Sequence, residues 1–298
     1  MKQLKQIFFH INHHPLARRH KLKAYYRFFS WQLSQFFFPH EVIYPFAGRT
    51  KLVIKKGLTG ATGNIYTGLH DFPEMSFLLH FLRKEDLFFD IGANVGSYSM
   101  LASGCVGTRT VAFEPVPSTF SWLLKNIEIN GLQKKVNALN IGLGSEKSIL
   151  HFTSSYDTVN HVISKHEIQK EKNFIEVEVD TLDAISSING MPALIKIDVE
   201  GFETEVLRGM SESLKKEILK AIIIELNGNS ERYGFDESWI HQYLTEHHFI
   251  PYEYKPYTRS LHLIEQAGSD NVIYIRDIDF VKDRILKAKK VKIFSESF

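Results

Sequence analysis

Four apolar runs in this chain each end on an acid: "LFFD" at Asp90, "VAFE" at Glu114, "LIKID" at Asp198 and "AIIIE" at Glu225. The first runs into Gly92 and Gly96 in Asp-Ile-Gly-Ala-Asn-Val-Gly. Gly92 lets the backbone turn tightly and approach a ligand with no Cβ in the way, and a helix start beyond it offers unpaired amides. Glu114 follows Gly92 by 22 residues. In dinucleotide-binding folds an acid at that distance takes the ribose hydroxyls of an adenosine ligand. A pyrophosphate turn reads G-x-G-x-x-G, whereas the spacing here is G-x-x-x-G led by Asp90. A carboxylate there would repel a pyrophosphate and suits a ligand with an amino group and a sulfonium charge, which is S-adenosylmethionine. A nicotinamide-dependent oxidoreductase, sharing the sheet and the ribose acid, is the alternative enzyme reading.

The later acids have the types needed for chemistry on a hydroxyl. Asp198, Glu200 two residues on, and Glu225 stand at the mouths of neighbouring strands. Such carboxylates can remove a proton from an acceptor, or Asp198, Glu225 and Asn227 can hold Mg²⁺ or Mn²⁺ through oxygen ligands. His161, in "DTVNHVIS" (157–164), is a further candidate base, because an unperturbed histidine titrates near neutrality; the competing reading is a packing histidine. Glu74 either meets the cofactor's amino group or is an exposed helix residue. The tract His10, His13, His14 reads as a polar stripe.

These residues need a sheet that brings strand ends together. Leu87 to Ile91, Thr110 to Phe113, Val136 to Ile141, 193–198 and 221–226 read as buried strands. Helical periodicity lies between them, at 71–83, after Gly96, from about Ser118, near 202–209, near 211–219 and around 237–246. "GLTGATG" (57–63) reads as a turn, and two strand-like runs close the chain near 249–254 and 271–276. Residues 145–180 interrupt the rhythm with two extra strands, "SILHFT" and "FIEVEV", around a polar loop. Alternating strands and helices predict an α/β, Rossmann-like, mostly parallel sheet covered on both faces. Its ligands would sit beyond the carboxyl ends of the strands.

"FFDIGANVG", "FEPVPSTF", "NIEIN", "IKIDVEGFETEVLRG" and "IIIELNG" together resemble the FkbM-type family of S-adenosylmethionine-dependent methyltransferases, from about Tyr66 to Leu226. "IKIDVEG" is the most specific of them. The resemblance implies a class I methyltransferase fold, with a seven-stranded sheet whose last strand is antiparallel. It also implies O-methyl transfer, often to sugar hydroxyls of polysaccharides or glycolipids. It carries cofactor roles to Asp90, Gly92, Asn94 and Gly96 at the methionine end, to Glu114 at the ribose, and to Gly142 and Leu143 against the adenine.

Composition frames this reading. The chain has 298 residues, 44% hydrophobic and 23% charged, as in an ordinary soluble enzyme. A net charge of +2 and the lack of a nucleic-acid motif argue against a dedicated DNA or RNA binder. Cys105 is the only cysteine, which excludes an internal disulfide and a cysteine-rich zinc site. No run reaches the roughly 18 apolar residues of a membrane span, and "HINHH" interrupts what would be a signal-peptide core. The expectation is a cytoplasmic enzyme in two parts, an arm over 1–50 and a methyltransferase domain over 51–298. The first 40 residues are basic and aromatic. Such a segment can lie on an anionic membrane at its inner face, or pack on its own domain or on the second subunit of a homodimer. A non-catalytic protein that docks through this arm is the third reading. "YEYKPYTR" (252–259) is either a glycan-binding wall or a surface strand.

Overall fold

The computed structural model describes residues 2–153, 160–164, 167, 173–264 and 271–298. Two helices lead the chain, α1 (Lys2–His13) and α2 (Lys21–Phe37), and then a hairpin of β1 (Val42–Pro45) and β2 (Lys51–Ile54). Next come α3 (Thr59–Thr67) and α4 (Phe72–Phe81), followed by β3 (Leu87–Ile91) and a short helix α5 (Ser97–Ser99) that continues as a π-helical turn over Met100–Val106. The alternation proceeds through β4 (Arg109–Phe113), α6 (Pro117–Ile129) and β5 (Val136–Leu139). The interruption holds β6 (Gly142–Leu143), β7 (Ser148–Thr153) and β8 (Phe174–Asp180). After it come α7 (Leu182–Asn189), β9 (Leu194–Ile197), α8 (Glu203–Arg208), β10 (Ala221–Glu225) and α9 (Glu237–Glu246). The chain closes with β11 (Ile250–Lys255), β12 (Ser260–Leu263), β13 (Asn271–Ile275), α10 (Ile278–Lys287), β14 (Lys292–Ile293) and β15 (Glu296–Ser297).

The central sheet runs β12-β11-β13-β10-β9-β3-β4-β5. Strands β3, β4, β5, β9 and β10 are mutually parallel, and β13 enters antiparallel between β10 and β11. The sheet therefore has eight strands rather than the expected seven, because "SLHL" adds β12 antiparallel to the outer edge of β11. The strands read as unbroken apolar runs because both faces are covered. Alternate side chains enter opposite cores. Phe88, Ala112, Leu194 and Ile223 face one core with α1 to α4, while Phe89, Val111, Ile195 and Ile222 face the other with α7 to α9. Strand order reverses at β3, with β4 on one side and β9 on the other, and this is the switch point at which α/β sheets bind ligands.

The arm packs on its own domain, one of the arrangements its composition allows: Ile11, Leu16, Ala24, Phe28 and Trp31 join the same apolar cluster as Leu52, Tyr66 and Phe72. Two other expectations change. "GLTGATG" is not a turn: it enters α3, whose Ala61 and Ile65 are buried. The "YEYKPYTR" run holds Tyr254 fully buried and hydrogen-bonded to His80 Nδ1 at 2.6 Å, so its tyrosines serve packing. Most of the polar loop between β7 and β8 lies outside the described residues. Among the described residues no helix is long and apolar enough to cross a membrane.

Candidate active site

A cleft opens above the carboxyl ends of β3, β4 and β9, enclosing about 680 Å³ with its mouth included. Gly92 stands at φ +72°, and a Cβ there would lie 1.8 Å from the carbonyl oxygen of Asp198. The neighbouring strand end thus demands glycine before any ligand does. Gly96, at φ +90°, leaves room for Leu123 Cδ1, 2.6 Å from where its Cβ would sit. Between them Asn94 takes φ +53° and aims its backbone amide at Glu114. Glu114 Oε2 accepts from Asn94 N at 2.9 Å and Oε1 from Val116 N at 3.0 Å. Burial pushes this carboxyl up to about 7 against those two hydrogen bonds.

Five of the expected cofactor residues line the cleft together: Gly92, Asn94, Glu114, Gly142 and Leu143. Phe152 and Val162 add an apolar wall from the small sheet β6-β8-β7 and the segment bridged to it. Asp90, Gly96 and Glu74 do not line it. Asp90 is fully buried behind the cleft, where Oδ2 accepts from Ser99 Oγ at 2.6 Å and Oδ1 finds no partner among the described residues. Burial raises this acid, opposed by Lys196. Glu74 is half-buried in the first turn of α4 and acts with Asp71 on Tyr98, whose hydroxyl donates to Asp71 Oδ2 at 3.1 Å.

The acids do converge. Oxygens of Asp198, Glu200 and Glu225 lie within 4.8 Å of one another. Lys196, pointing from a strand that is otherwise wholly apolar, places Nζ 2.8 Å from Asp198 Oδ2. Burial alone would raise Asp198, but the Lys196 ammonium and the Glu225 hydroxyl hold it below the usual carboxylate range. Burial and then the charge of Asp198 push Glu225 up to about 10, so it keeps its proton and donates it to Asp198. The same two causes push Glu200 up to about 7. Glu200 takes φ +56°, uncommon for a residue with a side chain, and its Oε2 accepts from Asn229 Nδ2 at 3.0 Å. The conformation is fixed from behind by Glu203, whose Oε1 accepts from the amides of Val199 and Gly201 at 3.1 Å.

Two further candidates have partners of their own. His161 is buried, with Nε2 3.4 Å from Glu167 Oε1, while its neighbours Asn160 and Val162 line the cleft. Residues 157–159 of the same run lie outside the described residues. Asn227 donates from Nδ2 to Glu225 Oε2 at 3.0 Å, and its Oδ1, the atom a cation would use, accepts from Asn229 N at 3.0 Å. The third carboxyl of the cluster is therefore Glu200. The three carboxyls could offer oxygen ligands to a divalent ion, with the Lys196 ammonium 2.8 Å from Asp198 Oδ2 competing for one of them. Lys196 and Glu203 escape a sequence reading, although a lysine inside "ALIKID" was the available signal. The histidine tract is not a surface stripe: His14 is buried, donating to Leu69 O at 2.7 Å, and His10 packs beside His70.

Known proteins share parts of this sequence. The hexuronic acid methyltransferase AglP of Haloferax volcanii is 28% identical over 151 residues, covering 50% of this chain and 59% of that protein. Methyltransferase 1 of Beauveria bassiana is 28% identical over 179 residues, 52% of this chain and 66% of its own length. The chain thus spans about three-fifths to two-thirds of the relatives it matches. A precorrin-6y C5,15-methyltransferase structure from Geobacter metallireducens covers 70% of this chain and 87% of its own, at 13% identity and a TM-score of 0.40, too remote a likeness to bear on function. The methyltransferase FkbM domain matches residues 90–251, more than half of the chain and all of the cleft's acids, and the chain belongs to that family.

Proposed function

We propose that this protein is an S-adenosylmethionine-dependent O-methyltransferase that methylates a sugar hydroxyl of a glycan. The observation that carries the reading is Glu114, a buried carboxylate fixed by two backbone amides at the edge of the cleft. Its remaining lone pairs suit a vicinal pair of ribose hydroxyls. Gly142, Leu143, Phe152 and Val162 offer a flat apolar slot fit for an adenine. When bound, S-adenosylmethionine supplies a methyl group on a positively charged sulfur.

The chain's own residues then have to hold the acceptor and remove its proton. Glu200, titrating near neutrality at the cleft mouth, is the base in this reading. The Lys196–Asp198 pair and protonated Glu225 fix the carboxylate frame around it. AglP is named for methylation of a hexuronic acid, which favours an acidic sugar as acceptor here. The test is transfer of labelled methyl from S-adenosylmethionine to uronic-acid oligosaccharides, with and without Mg²⁺. Transfer to none of them, or transfer only with Mg²⁺ present, would overturn the acceptor class or the metal-free proton removal respectively.

A further inference from the structure

The second helix has two apolar faces, and the domain covers only one of them. Ala24, Phe28, Trp31 and Gln35 of α2 are buried against the core. On the opposite side Leu22 is 87% exposed, Tyr26 74%, Phe29 56%, Leu33 61% and Phe36 76%. At about 100° per residue these five fall within roughly 40° of one line along the helix. Lys21 and Lys23, both exposed, lie about 100° to either side of that line, so they flank the stripe. Exposed Phe37, the last helical residue, and Phe38 just beyond it extend the stripe. A helix apolar on opposite faces is ordinarily buried on both, and a continuous exposed aromatic stripe marks an interaction site.

We propose that this face docks on the surface of an anionic lipid bilayer. Charge decides between occupants. Residues 1–40 contain Lys2, Lys5, Arg18, Arg19, Lys21, Lys23 and Arg27 and no aspartate or glutamate. A second copy of the helix would set the flanking Lys21 and Lys23 against a helix face that carries no acid, whereas anionic headgroups match them. Apolar and aromatic side chains between flanking lysines are the pattern of a helix lying in the interface plane. The stripe is also rigidly mounted. Arg19 pairs with Glu296 at 3.1 Å, and Arg27 stacks on Phe294, tying the arm to the closing hairpin β14-β15. Inward, His14 and His10 contact Leu69 and His70, just ahead of α4.

The proposal does not depend on the methyl-transfer reading, because docking needs no cofactor. Full-length protein is floated with vesicles of phosphatidylcholine alone and of phosphatidylcholine mixed with phosphatidylglycerol. Its mass in lipid-free buffer is measured by light scattering. The expected result is a monomer that binds only the phosphatidylglycerol vesicles and is released by high salt. K21Q/K23Q should weaken binding about tenfold or more, and F29S/L33S/F36S should abolish it with unfolding temperature unchanged. Failure of the unaltered protein to bind, or equal binding to both vesicles, would overturn the proposal. So would a lipid-free dimer that F29S/L33S/F36S dissociates, which would assign the face to a second copy of the chain.

Discussion

Replacing Lys196 by methionine separates the electrostatic frame of the cleft from its packing. The lysine side chain is 5% exposed and Asp198 is 32% exposed, with 2.8 Å between them. Removing one partner of a fully buried pair costs about 3–5 kcal/mol, because the other charge is left without compensation. The one-third exposure of Asp198 lets water recover part of that, so a loss of about 2–3 kcal/mol is expected. Asp90 limits the cost further, since burial already raises it and it takes up a proton when Lys196 is gone. The pH dependence follows from the signs. Asp198 is held low, so its share of stability is present above the ordinary carboxylate range and lost as pH falls through its folded value. Lys196 is held high by Asp198 and Asp90, overcoming its burial, so its share is lost only as pH rises beyond the usual lysine range. Urea unfolding of Lys196→Met should therefore show the full deficit near neutral pH and a much smaller one near pH 3. Adding Asp198→Asn should restore part of it. A deficit below about 0.5 kcal/mol at neutral pH, or one independent of pH, would refute the reasoning.

Other residues give sharper or simpler tests. Gly92→Ala drives a Cβ to 1.8 Å from the Asp198 carbonyl at φ +72°, so the fold should lose several kcal/mol, seen as a drop in unfolding temperature of about 10 °C or more. An unchanged melting curve would mean that β3 and β9 do not cross as described. Glu114→Gln leaves one of the two amides facing an NH₂, and it replaces charge-assisted hydrogen bonds. S-adenosylmethionine affinity should fall about 10- to 100-fold by calorimetry. The methyl-transfer rate should rise as Glu200 loses its proton near pH 7 and level off above it, and Glu200→Gln should remove that limb from the pH–rate profile. A limb that survives the substitution assigns the base elsewhere.

The part of this architecture legible in the sequence is the part built from two-sided burial. Strands β3, β4, β9 and β10 lie inside continuous apolar runs, and α9 spans Glu237–Glu246 as its periodicity predicts. The acids at the strand ends follow from the same logic, because a strand's end is where charge can reach water. Lys196 is invisible to that logic: its register places it on the α1–α4 face, and only the tertiary position of Asp90, Asp198 and Tyr98 gives it partners. His161 shows the reverse case. A suitable residue type lies between two cleft-lining residues, and its Nε2 lies 3.4 Å from Glu167 Oε1, a pairing that no spacing in the sequence announces. Helix α3 is hidden by the glycines and threonines that ordinarily mark turns, and its helical state comes from burial of Ala61 and Ile65 where α3 packs on α2 and β2. Strand β12 depends on an edge that only the assembled sheet provides.

Binding of S-adenosylmethionine in the cleft at β3, β4 and β9 is tested by calorimetry of the purified protein with S-adenosylmethionine, S-adenosylhomocysteine and NAD, beside Glu114→Gln. Binding of the first two alone is expected, weakened in the variant while its unfolding temperature stays within a few degrees. Binding of NAD, or binding of S-adenosylmethionine that ignores Glu114, would contradict it.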